Sequence, residues 1–220
     1  MARLARLAVA GQLHLVGQQA RPGLDLFAEP RDRIDYLGAL REACSVQPVA
    51  LHAYALLDAE VRLLVTPGTD TALSRVLQSV GRRFGAGYNR RHARSGPLWS
   101  GRFKAVPVEA AVFLTCLRFV ESGALAASAS SAPHHEGLLV DPLVADHAQF
   151  WQLGNTPFER DAAYRQLREQ ALTPAEIEKI DRALRGGWPL GSTTFVAAVQ
   201  ARTARRAVPL PRGRHKTVPT

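Results

Sequence analysis

Cysteine, methionine and lysine are scarce in this chain, and it has no long apolar run. The two cysteines, Cys44 and Cys116, stand in apolar, helix-like contexts, and neither belongs to a closely spaced pair. This argues against a disulfide framework or a cysteine zinc site; free thiols in a reducing cytoplasm are the simplest expectation. Residues 1–16 are mildly apolar, but Arg3, Arg6, Gln12 and His14 interrupt them. Nothing approaches the roughly 18 apolar residues of a membrane span, and no signal peptide is legible. Lysine occurs only at Lys104, Lys179 and Lys216, so arginine carries the positive charge. Arginine pairs bidentately with phosphate and stacks on bases. A GC-rich coding sequence produces the same skew, so the skew alone assigns no partner.

What is present is a strong positive balance: 220 residues with a formal charge of +9 and a pI near 10.5. The length suits one domain, or one domain with a helical appendage. The charge suits a polyanion, either nucleic acid or an anionic membrane surface. A soluble protein with an arginine-rich tail is the plainer alternative.

Leu51 to Leu57 and Val61 to Val65 are two apolar runs separated by Asp58, Ala59 and Glu60, the pattern of a tight hairpin. Residues two apart on a strand share a face, so Glu60 and Arg62 project together. Before the hairpin, Leu7 to Val16 predicts a first strand with Gly11 as a bulge. Asp32 is placed to cap a helix running to about Cys44. After it, Asp70 or Thr71 opens a helix with Leu73, Val76, Leu77, Val80 and Phe84 on one face. Phe103 to Val108 predicts a fourth strand, and Glu109 opens a further helix. The order β-α-β-β-α-β fits an α+β, ferredoxin-like sandwich, with one antiparallel sheet covered on one face.

Residues 88–104 are basic, with aromatic residues interleaved. With the preceding helix they predict a nucleic-acid surface. Arg82, Arg83, Arg90, Arg91, Arg94, Arg102 and Lys104 would neutralise phosphates, and Tyr88 or Trp99 would stack on an unpaired base. Against this stands a solvated basic loop with Trp99 in the core.

Residues 122–142 turn small and polar and are expected to be a linker. Within it His134 and His135, with no cysteine or aspartate cluster in sequence, are expected to be exposed rather than metal-binding. His14 and His52, on apolar strands, are expected to be buried and hydrogen-bonded. Helical patterns follow at about 143–153, 157–171 and 174–185, the last opened by Thr173, Pro174 and Glu176. A final helix is expected from Thr193 to Thr203. Arg202 to Lys216 is basic and proline-rich, and its composition predicts disorder. The expected divisions are a domain at 1–121, a linker at 122–142, a helical extension at 143–203 and a basic tail at 204–220.

The hairpin, with Leu63 to Pro67, Tyr88 to His92, Leu98 to Lys104 and Gly187 to Ser192, resembles the REP-associated tyrosine transposases. These are bacterial single-strand DNA enzymes of the HUH endonuclease superfamily. The resemblance spans nearly the whole chain and implies the same ferredoxin-like fold. It also implies single-stranded or hairpin DNA as partner and a bacterial, nucleoid-associated location, with no membrane. Relatives in the superfamily act as monomers or dimers, and no interface signature stands out here.

The departures from the family pattern concern chemistry. The family holds a divalent metal such as Mg2+ or Mn2+ on a His-hydrophobic-His pair, and this chain has Glu60 and Arg62 there. Arg62 has no lone pair for a metal. The family's nucleophilic tyrosine position is Phe119, which has no hydroxyl. The resemblance with these losses implies a DNA-binding protein without catalytic residues or a cofactor. Two alternatives stay open. One is an active nuclease with a shifted site drawn from Tyr54, Tyr88 or Ser122 and from His52, Asp58, Glu60 or Glu121. The other is an interaction scaffold without DNA function.

Overall fold

The computed structural model describes residues 7–124, 129–203 and 205–209. Four strands form one sheet: β1 (His14–Gln19), β2 (Val49–Leu57), β3 (Glu60–Pro67) and β4 (Lys104–Pro107). Their order is β2-β3-β1-β4 and every pairing is antiparallel, as a ferredoxin-like sandwich requires. The first strand lies later than the sequence predicts. Gly11, with φ +70, is part of a turn whose N–H donates to the Pro67 carbonyl at 2.7 Å.

Two helices, α1 (Pro30–Val46) and α2 (Ala72–Arg91), cover one face. Asp32 is not the N-cap of α1. Glu29 is, and Asp32 closes a capping box from the third helical position behind Pro30. Tyr36, Phe84 and Phe27 pack edge-on or tilted at centroid distances of 5.2–5.8 Å between the two helices.

The expectation of one covered face is incorrect. Leu13, Leu15, Ala53, Ala55, Leu64 and Val106 point to the other face, where α3 (Phe113–Glu121), α6 (Pro157–Glu169) and α7 (Pro174–Gly186) meet them. Short helical turns α4 (Ala132–His135) and α5 (Ala148–Trp151) fill the gap, and α8 (Thr193–Arg202) follows. The physical sign was in β2, whose six residues from Leu51 to Leu56 are all buried. A continuous apolar run marks a strand covered on both sides, whereas alternation marks one open face. Thr173 caps α7 as its sequence predicts, with a reciprocal Glu176 bond.

The edges of the sheet are covered too. Ser130 bridges Ala55 on β2, and Ser131 exchanges backbone and hydroxyl bonds with Tyr54. On the far side the Leu190 N–H donates to the Pro107 carbonyl of β4 at 2.8 Å. Residues 129–135, expected to be linker, thus protect an otherwise unpaired strand edge. Residues 1–6, 125–128 and most of the expected tail (204 and 210–220) lie outside the described residues. Cys116 is buried and Cys44 half-buried, both free, and burial pushes the Cys116 thiol up to about 12. Among the described residues no helix is long and apolar enough to cross a membrane.

His14 and His52 are buried, as expected. His14 Nδ1 donates to the Gln12 carbonyl and its Nε2 accepts from the Val9 N–H. His52 Nδ1 donates to the Ala145 carbonyl and its Nε2 accepts from Thr66 Oγ1. Both rings are thus bonded as neutral tautomers. Burial lowers each to about 4, against a partial rise from the backbone carbonyl. The unfolded chain takes up these protons near pH 6.5 and the folded chain does not. Stability is therefore full above pH 6.5 and falls as pH drops toward 4. With both histidines contributing, the slope reaches at most about 2.7 kcal/mol per pH unit. Urea unfolding from pH 7 to 4.5 checks this, and His52→Gln should flatten the slope by about one proton.

Candidate functional site

Alternation along the strands sends Gly17, Glu60, Arg62 and Lys104 to the α3–α7 side of the sheet. The register sets Ala55, Arg62, Gly17 and Lys104 in one row across all four strands. Gly17 stands between the two basic residues without a side chain of its own, so the row has a dip at its centre. A Cβ there would meet Glu60 Oε1 at 3.5 Å and the Leu184 methyls at 3.8 and 3.9 Å.

Glu60, Arg62 and Phe119, which the family resemblance assigns to the lost metal and nucleophile, come together in space. Arg62 Nε donates to Glu60 Oε2 at 3.1 Å, and its Nη2 lies 3.0 Å from the same oxygen. Arg62 Nη1 donates to the Phe119 carbonyl at 3.0 Å, and the guanidinium carbon sits 4.3 Å from the centre of the Phe119 ring. One cation therefore closes an ion pair, a hydrogen bond and a cation–π contact. Phe119 carries no hydroxyl, and Arg62 offers only donors.

Of the residues named for a shifted active site, Glu60 and Ser122 meet at Arg62, since Ser122 and Arg62 donate to the same Phe119 carbonyl, whereas Tyr88, His52 and Asp58 are held elsewhere. The Tyr54 hydroxyl donates to Asp141, the Tyr88 hydroxyl to the Asp25 carbonyl, and the Ser122 hydroxyl to the Phe119 carbonyl. Burial, with Asp141 beside it, pushes the Tyr54 hydroxyl far above its ordinary value. Asp58 is exposed and pairs with Arg33 at 3.6 Å. Glu121 is 1% exposed and bonded to Ser131, His135 and Tyr164.

The expected basic surface is reorganised. Tyr88 is 3% exposed, and Trp99 is half-buried against Tyr36 and Phe84. Neither ring is presented as a stacking platform, because the α1–α2 layer needs both for its core. Arg91 is held between Asp32 and Asp35, and Arg83 pairs with Glu42. Burial alone would raise the Asp32 carboxyl; Arg91, the Glu29 backbone and His92 outweigh it and hold it below its ordinary value. Arg82, Arg90, Arg94, Arg102 and Lys104 are exposed and make no ion pair among the described residues.

Arg102 and Lys104 line a cleft of about 540 Å³ between the Gly17 row and α7. Arg185, Arg205, Glu60 and Asp181 also line it. Arg205 Nη2 donates to the Gly187 carbonyl at 2.9 Å, and burial beside Arg206 lowers its guanidinium below the ordinary value. Sequence reasoning missed Gly17, Arg185 and Arg205 as residues that line one cleft with Glu60. The amphipathic pattern of α7 was legible, but its docking partner was not.

Arg62→Ala should lower stability by about 2 kcal/mol, since a charge-assisted hydrogen bond and the pairing of Glu60 are lost together. A double-mutant cycle of Arg62→Ala with Phe119→Leu should return a coupling of about 0.5–1 kcal/mol from the cation–π contact. Both are read from urea unfolding midpoints.

No family model matches the chain, and no curated protein does. Solved structures do. One is a REP-associated tyrosine transposase bound to a REP hairpin, 14% identical with a TM-score of 0.52, over 68% of this chain and 96% of that one. Another is a transposase candidate from Deinococcus radiodurans R1, 15% identical with a TM-score of 0.39, over 55% of this chain and 96% of that one. The likeness to the hairpin-bound transposase is one of fold: the chain folds as that protein does.

Proposed function

We propose that the chain is a transposase-like DNA-binding protein that takes structured single-stranded DNA, such as a hairpin, and does not cleave it. The observation that carries this reading is Arg62, seated on Phe119 and Glu60 and flanked across Gly17 by Lys104. In a HUH enzyme the corresponding place would hold a metal and a tyrosine hydroxyl acting on a phosphodiester. Here it holds a fixed cation beside a cleft lined by further cations, which suits holding a phosphate, and the Phe119 ring has no hydroxyl to attack it. The fold shared with a hairpin-bound transposase supports the same ligand class. The family's metal does not fit this position, because Arg62 repels it and fills the space beside Phe119.

With Tyr88 and Trp99 committed to the core, phosphate contacts from Arg102, Lys104 and Arg185 would dominate affinity. Binding should then weaken steeply with salt. Labelled hairpin DNA, mixed with the protein with and without Mn2+ and run on native and denaturing gels, tests the proposal. A native shift with intact DNA and no covalent adduct is expected. Metal-dependent nicking or an adduct would favour an active nuclease, and no shift at low salt would favour a protein without DNA function. Arg102→Ala with Lys104→Ala should weaken binding about tenfold and reduce the salt slope by about 1.5. Tyr88→Phe should leave DNA affinity unchanged while costing about 1 kcal/mol of stability through its Asp25 bond.

A further inference from the structure

Away from the Arg62 row, the β2 side of the molecule holds a second polar cluster. His134 and His135, expected to be exposed, are half-buried and buried respectively. They meet Asp146, and a donor atom from each of the three residues lies within 4.8 Å of the others. His134 Nε2 lies 3.2 Å from Asp146 Oδ1.

His135 is the informative member. Its ring is 1% exposed, and its Nδ1 lies 2.7 Å from Glu121 Oε1. Glu121 accepts further bonds from the Ser131 and Tyr164 hydroxyls, so the carboxylate is held from several sides. In the neutral ring the Nδ1 proton goes to Glu121, and the lone pair is left on Nε2. That Nε2 is buried and has no hydrogen-bond partner among the described residues. A buried acceptor without a partner is costly. A carboxylate orienting one imidazole nitrogen, with the other left bare, is the outer-shell arrangement that metal-ligating histidines use.

We propose that His134, His135 and Asp146 form a binding site for a zinc-class divalent ion, with Glu121 as the residue that orients His135. Two imidazoles and a carboxylate suit zinc, with water in a fourth position, better than magnesium, which prefers oxygen throughout. Tetrahedral zinc needs donor atoms about 3.3 Å apart, so the three side chains close in modestly. One local change follows. The Asp141 N–H donates to His134 Nδ1 at 3.1 Å, which places the His134 proton on Nε2, facing Asp146. When the ion takes that position, the ring proton moves from Nε2 to Nδ1, and the Asp141 contact opens. Binding weakens as pH falls, because protons compete with the ion for the imidazole lone pairs. The bound ion would tie residues 132–135 to the chain before α5, beside the edge of β2 that they cover.

The full chain, stripped with EDTA and desalted, is titrated with Zn2+ against a chromophoric chelator. One saturable site per chain is expected, weakened at least tenfold by His134→Gln and by Asp146→Asn and unchanged by His92→Gln. His92 pairs with Asp32 on the opposite face and serves as the control. Circular dichroism confirms that each variant is folded. Wild-type protein loaded with Co2+ should also show the strong visible bands of a four-coordinate ion, a readout that needs no variant. No saturable Zn2+ binding, binding unmoved by either folded variant, or Co2+ bands of a six-coordinate ion would each overturn the proposal.

Discussion

A four-stranded sheet that is apolar on both faces cannot be finished by two helices. α1 and α2 bury Val16, Leu63 and Val65 on one side and leave Leu15, Leu64 and Val106 on the other. Exposing that second face would forfeit apolar burial, the dominant favourable contribution to folding. The C-terminal helices are therefore part of the core. Ile180, Leu184 and Tyr164 complete the second layer, and Ser130 and Leu190 close the two edges. What a boundary at residue 121 would divide is one continuous packing problem.

The same covering creates the cleft. α7 docks over the β1–β4 side and brings Arg185 to the cleft that Lys104 and Gly17 also line. Its floor is kept open by the absence of a side chain at Gly17 and its wall is set by Leu184. Arg62, held 4.3 Å from the Phe119 ring centre and paired with Glu60, supplies a fixed positive charge two strands from Lys104 in the same row. Glu60 and Arg62, two residues apart on β3, thus meet Phe119 from α3 in space.

The second polar cluster follows from a different constraint. Glu121 ends α3 inside the protein, and a buried carboxylate is tolerated only when it is fully bonded. Ser131, His135 and Tyr164 provide those bonds from three separate segments. The segment 129–135, small and polar by composition, is ordered because it serves this carboxylate and the β2 edge together. Its composition resembles a linker because small residues also suit close packing against an edge strand.

The strand and helix order, the hairpin, the α7 cap at Thr173, the buried histidines and the shared face of Glu60 and Arg62 were all legible in the sequence. These rest on periodicity, capping chemistry and the two-residue repeat of a strand, all of them local. Packing, and not any local pattern, covers both faces, commits Tyr88 and Trp99 to the core, and spends Arg83 and Arg91 on Glu42, Asp32 and Asp35. It also encloses His134 and His135 with Asp146. The reason is common to all of these. A local pattern reports which side chains point the same way, whereas the partner they meet comes from a helix or loop tens of residues away, placed by packing.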